Sequence, residues 1–123
     1  MRLIIPNRPL LAAAGFCGAL GVAVAAAASH RADQNLGIAG NFLLFHAPAL
    51  IGLGLLAGNR IAIIAGWVLV AALILFAGDL ASLSQLGHGL FPLAAPLGGT
   101  GLIVGWLLVV AAAVFAPRNT NPG

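Results

Sequence analysis

The chain has 123 residues, 62% of them hydrophobic and only 6% charged, with a formal net charge of +3 from five arginines and two aspartates. An ordinary soluble domain is about 25% charged, and a soluble fold this small cannot cover its surface without polar residues. Composition therefore excludes a soluble globular domain, a disordered chain and, because the arginines are scattered, a nucleic-acid binder; an all-α polytopic membrane protein remains.

Charges punctuate the chain. Residues 9–29 carry none and predict a first membrane helix, since about 20 apolar residues cross the hydrocarbon layer. Arg2, Arg8 and Ala26-Ala27-Ala28 also resemble parts of a secretory signal. The apolar run, however, exceeds the usual signal core of about 7–15 residues, so a retained helix is the expectation. Ser29 to Asn35 reads as a short polar loop, and 38–57 as the second span. Gly58-Asn59-Arg60 is a turn built of helix stop signals. The third span covers 61–83. Gly87, Gly89, Pro92 and Pro96 mark a longer interfacial loop over 84–97. The fourth span is 98–116, with Gly98-Gly99-Thr100-Gly101 read as its flexible entry and Pro117-Arg118-Asn119 as its end. The expectation is one transmembrane domain over 1–123, a four-transmembrane-helix bundle, because spans this continuous close their backbone hydrogen bonds as helices.

Four spans put both termini and the 58–60 turn on one side. That side holds Arg2, Arg8, Arg60 and Arg118, against Arg31 alone on the other. The arginine bias predicts both termini in the cytoplasm.

Membrane helices associate where small residues let backbones approach. The first span has such residues at every fourth position: Ala13, Cys17, Gly21, Ala25 and Ser29. Gly54 and Gly58 form a Gly-x-x-x-Gly pair at the end of the second span, and Gly101 and Gly105 another in the fourth. These residues read either as packing within the bundle or as a docking face for another subunit. Gly66-Trp67-x-Leu69-Val70 recurs as Gly105-Trp106-x-Leu108-Val109, which biased composition largely explains.

Ionisable groups inside a membrane are costly and are functional candidates by default. His46 is placed near the bilayer midplane and Asp79 near the far end of the third span, on the same side as His30, Arg31, Asp33 and His88. For His46 one reading is a neutral imidazole donating to a carbonyl of a neighbouring helix. Pro48 frees the carbonyl of Leu44, which His46 or a water would satisfy. The other reading makes His46 and His30 cofactor-binding residues, touching haem, a pigment or a quinone. A bis-histidine haem within one copy is disfavoured, because His30 lies about 13 Å higher. Asp79 is either a satisfied buried polar group, bonded to His30, Arg31 or loop amides, or a functional carboxylate, as a proton relay or a ligand.

No lysine is present for a Schiff base. The lone Cys17 makes neither an internal disulfide nor a thiolate metal site. No catalytic constellation and no metal site are expected, and no resident cofactor. Small four-helix drug exporters depend on a first-helix glutamate, and this chain has none.

Four motifs then read together: Ala27-Ala28-Ser29-His30, Phe45-His46-Ala47-Pro48-Ala49-Leu50, Phe76-Ala77-Gly78-Asp79-Leu80, and Pro96-Leu97-Gly98-Gly99 continuing to Gly105-Trp106. In this order and spacing the chain resembles the small four-helix membrane family of unknown function that includes YgdD-type bacterial proteins and eukaryotic transmembrane protein 256. The resemblance spans about residues 10–116. It implies a multi-pass protein of a bacterial inner (cytoplasmic) membrane and supplies no reaction. Two departures stand out. Asp79 replaces a hydroxyl residue of the family pattern, and Pro48 stands at a position usually without proline.

Three functional classes follow. The leading one is a non-catalytic accessory or assembly subunit of a larger membrane complex, a bioenergetic one among the candidates, with lipid and other membrane-protein subunits as partners. The alternatives are a cofactor-contacting protein acting through His46 and His30, and a small transporter or proton pathway using His46 and Asp79.

Overall fold

The computed structural model describes residues 5–116. Within them lie four helices and no strand: α1 (Arg8–Arg31), α2 (Gln34–Gly54), α3 (Arg60–Leu86) and α4 (Ala94–Val114). All four are long and apolar enough to cross a membrane. At 1.5 Å per residue they measure about 32–40 Å. Arg2 and Arg118 lie outside the described residues.

Asparagine and aspartate start three of the helices. Asn7, Asp33 and Asn59 each accept a hydrogen bond from the backbone N–H three residues later, which satisfies one of the orphan donors of a first turn. Pro9 follows the first cap, where its missing N–H costs nothing. At the other ends, Ala32 closes α1 and Gly87 closes α3 in the left-handed region, at φ 50° and 77°.

These caps correct the expected boundaries. The polar loop after α1 shrinks to Ala32 and Asp33, because Asp33 starts α2 four residues earlier than the apolar pattern suggests. Helix α2 stops at Gly54, not at residue 57. The long loop contracts to residues 87–93, since α3 runs on to Leu86 and α4 begins at Ala94. Gly98 to Gly101 are therefore helical and form no flexible entry.

The helices form two antiparallel hairpins. The Asn7 N–H donates to the Gly54 carbonyl at 2.8 Å, tying the start of α1 to the end of α2. The Asn59 side-chain amide donates to the Ala112 carbonyl at 3.0 Å, tying the start of α3 to the end of α4. Helix α1 packs along α2 and α4 along α3, and the hairpins meet through α2 and α3. Helix α1 also touches α3, where Leu10 lies over Gly66. No Cα of α4 comes within 8 Å of α1 or α2. The bundle is thus a bent row, with α1 and α4 as its outer members. Its centre is filled by the fully buried Leu10, Leu50, Leu69 and Leu73, with alanines between them.

Small residues set the spacing within each hairpin. A Cβ at Gly40 would stand 2.8 Å from the backbone nitrogen of Ala25, and one at Gly21 2.9 Å from Leu44. In the second hairpin, a Cβ at Gly98 would stand 2.7 Å from the Phe76 nitrogen, and Gly101 and Gly105 meet Ala72 and Leu69. Cys17 is buried and Ala13 is packed against the core. The stripe Ala13, Cys17, Gly21, Ala25 therefore turns inward against α2, and Ser29 beyond it is exposed. One member of the small-residue set does not pack within the bundle. Gly58 lies beyond α2 in an exposed turn with nothing near it, so Gly54 and Gly58 form no packing pair.

Candidate functional site

His46 sits twelve residues into α2 and eight from its end, which keeps it in the middle third of the bundle. The side chain is 6% exposed. Its Nδ1 lies 2.7 Å from the Phe42 carbonyl, one turn back on the same helix. Its Nε2 lies 3.2 Å from the indole nitrogen of Trp106 on α4. A carbonyl only accepts and an indole N–H only donates. The proton is therefore on Nδ1, and Nε2 accepts from Trp106. The expected donation to a neighbouring helix, or to the carbonyl freed by Pro48, is replaced by a bond within α2 and a received bond from α4.

Aromatic rings surround this pair. Phe42 and Phe76 lie 4.6 Å apart between centroids, and His46 and Trp106 5.7 Å. With Leu102 and Ile103 they line an apolar groove of about 360 Å³ on the bundle surface. His46 lies one turn to one side of the Phe42–Phe76 contact and Asp79 about one turn to the other, because α2 and α3 run in opposite directions. The two ionisable residues are separated by about 10 Å along the bundle axis, with phenyl rings between them.

Asp79 is 5% exposed. Its Oδ1 accepts the Leu90 N–H at 2.7 Å. Gly89 lies against the same oxygen, where a Cβ would approach to 2.5 Å. The Ser82 hydroxyl donates to the His88 carbonyl at 2.7 Å. Asp79 and Ser82 thus pin the 87–93 loop to the end of α3. The loop amides, and not His30 or Arg31, are the partners of Asp79. His30 is exposed at the end of α1 and joins neither His46 nor Asp79.

A third polar group closes the same end of the bundle. Arg31 donates to the Gln85 side-chain oxygen at 2.8 Å, and the Gln85 amide donates to the Ser84 hydroxyl. Ser84 in turn donates to Asp33 Oδ2. The Ser84 hydroxyl, and then the Leu36 N–H, hold the Asp33 carboxyl below its usual range.

The decisive partner missing from the sequence reading is Trp106. A tryptophan inside a span carries a donor that needs an acceptor, which is a signal. The identity of that acceptor depends on helix rotation. The repeat with Trp67 misleads, because Trp67 makes no corresponding bond among the described residues. Asn59, read only as part of a turn, links two helices.

The model of a family described as "Protein of unknown function (DUF423)" matches residues 12–99. The chain belongs to this family. The match covers His30, His46, Asp79 and the 87–93 loop. The chain is also similar to "UPF0382 membrane protein YwdK" of Bacillus subtilis (strain 168), at 35% identity over 75 residues. That alignment covers 58% of this chain and 61% of the relative, so it spans less than two thirds of either. No solved structure matches. These likenesses bear out the resemblance to a small membrane family of unknown function. In this DUF423 member the matched segment ends at Gly99, so Trp106 lies beyond it.

Proposed function

We propose that this protein is a non-catalytic accessory or assembly subunit of a larger membrane complex. It sits in a bacterial inner membrane with both termini cytoplasmic. The observation that carries this reading is the use of the polar side chains in the spans. His46 bonds Phe42 and Trp106, Asp79 holds a loop amide, and Asn59 holds an α4 carbonyl. Each of these contacts locks one part of the chain to another, as expected of a rigid packing unit. The outer helices offer broad apolar faces, with Phe16, Leu20 and Val22 on α1 and Ile103, Leu107 and Val110 on α4.

The second reading is contact with a flat aromatic cofactor or quinone. The ring-lined groove beside His46 and Trp106 favours it. Ligation by Nε2 would first require rupture of the Trp106 bond, which places this reading second. A proton pathway from His46 to Asp79 is opposed by the phenyl rings between them.

Extraction from the native membrane in mild detergent, followed by native mass spectrometry, tests the leading reading. Recovery in a stoichiometric complex is expected. Recovery as a bare 12.2 kDa chain or a small homo-oligomer overturns it. A visible absorption band from the purified protein moves the second reading forward.

A further inference from the structure

We propose that the cleft over Asp79 is a binding site for a primary ammonium group. The chain has two acidic side chains. Asp33 uses both oxygens, one for the Leu36 N–H and one for the Ser84 hydroxyl. Asp79 uses one. Its Oδ1 accepts from Leu90, while Oδ2 accepts no hydrogen bond from the described residues and is not sealed from outside. Asp79 as a whole is only 5% exposed, so its Oδ2 offers a fixed, free acceptor to a donor that enters from outside.

The surroundings form a built site. The turn at Gly87, the backbone of Gly89 against the carboxylate, and the Ser82 bond to the His88 carbonyl hold the loop around Asp79. The result is a cleft of about 420 Å³ bounded by Asp79, Leu83, His88, Phe91 and Pro92. Apart from Asp79 and His88, the side chains of its walls are apolar. Calcium and magnesium need several oxygen ligands, and the described residues hold no cluster of three His, Cys, Asp or Glu side chains. An organic ammonium needs few acceptors, and its carbon chain suits apolar walls such as Leu83, Phe91 and Pro92.

Position supports the same ligand. Helix α3 is about 40 Å long, beyond the roughly 30 Å of hydrocarbon. Asp79 lies seven residues before its end, about 10 Å from it. The cleft therefore opens near the headgroup zone. The ammonium comes either from phosphatidylethanolamine or from a free alkylamine. Both donate N–H to Oδ2, and no bond is made or broken in the ligand. This inference does not depend on the accessory-subunit reading.

The test uses the full chain, labelled with ¹⁵N, in phosphatidylcholine nanodiscs. Ethanolammonium chloride is titrated against sodium chloride and choline chloride controls. In a parallel series, phosphatidylethanolamine replaces part of the phosphatidylcholine. The expected result is a saturable shift of the Leu90 and Gly89 amide resonances in at least one series, and none with the controls. A response only to the phospholipid assigns the lipid source; a response only to ethanolammonium assigns a soluble amine; a response to both shows that the headgroup alone suffices. In Asp79→Asn the side-chain oxygen still accepts from Leu90, so the loop stays folded and its amide stays protected. Apparent affinity there falls roughly tenfold or more, the loss of one hydrogen bond to a charged group. Asp33→Asn, which removes the other acid, leaves binding intact. Absence of a saturable shift in both wild-type series overturns the proposal, and so does unchanged binding in a folded Asp79→Asn protein.

Discussion

The indole N–H of Trp106 reaches Nε2 of His46 at 3.2 Å, although no Cα of α2 lies within 8 Å of a Cα of α4. The long tryptophan side chain bridges a gap that small residues close elsewhere in the bundle. It is a direct polar link between the second and fourth helices.

Removal of that link has a defined cost. Hydrogen bonds between membrane helices contribute about 0.6 kcal/mol on average, because the unfolded chain in lipid also finds partners. Trp106→Phe keeps most of the ring and should cost about 0.5–1 kcal/mol. His46→Ala should cost more, since it also leaves a cavity and an unpaired indole. A double-mutant cycle by reversible unfolding in mixed micelles measures the coupling. A coupling indistinguishable from zero would show that the contact does not stabilise the bundle.

Neighbouring glycines should behave oppositely. A Cβ at Gly98 meets Phe76 backbone atoms at 2.7–2.8 Å, whereas one at Gly99 meets nothing within 4 Å. Gly98→Ala must push α4 from α3 and should cost about 1–3 kcal/mol. Gly99→Ala should be neutral or stabilising by up to about 1 kcal/mol, from the better helix propensity of alanine. Thermal unfolding in one detergent compares them, and equal melting temperatures would contradict the packing.

The same contrast applies to Gly54 and Gly58. Gly54 packs against the Leu11 backbone, with the nearest atom 3.5 Å from an added Cβ, while Gly58 has open space. Gly54→Leu should destabilise the first hairpin and Gly58→Ala should not. Loss of fold in both variants would restore the Gly-x-x-x-Gly pairing expected from sequence.

Asp33 makes the latch between the two hairpins sensitive to acid. Its folded carboxyl is held low, first by the Ser84 hydroxyl and then by the Leu36 amide. A group with a lowered folded value favours the folded state above its unfolded value, about 4 for an aspartate. That contribution disappears as pH falls through the folded value. Stability should therefore decline on the acid side of pH 4 in the wild type, and Ser84→Ala should flatten the decline. Identical pH profiles for the two proteins would count against the latch.

Arginine bias sets the proposed orientation, and single cysteines test it. In a Cys17→Ser background, Ala57→Cys marks the turn between α2 and α3, and His30→Cys marks the opposite end of the bundle. Both positions are exposed. A membrane-impermeant maleimide applied to intact cells should label the second and not the first. The reverse pattern would invert the topology.

The sequence alone determined the four spans, their order and the alternating direction of successive helices. Hydrocarbon demands that every backbone N–H and C=O be paired within the segment, so an uncharged run of sufficient length is a helix whatever it packs against. The caps at Asn7, Asp33 and Asn59 were not read from the sequence, although capping bonds reach only three residues. Boundary errors arose where those polar caps lay outside the apolar run, as at Asp33. Cross-helix pairing was not legible. Whether His46 meets His30, Asp79 or Trp106 depends on the rotation and height of separate helices, and no local window contains either quantity. The same holds for the inward turn of Cys17 and Gly21, for the solitary Gly58, and for Leu90 as the partner of Asp79. Those relations were decided by tertiary packing, in which close contact between small residues fixes helix rotation and so selects which polar groups come within bonding distance.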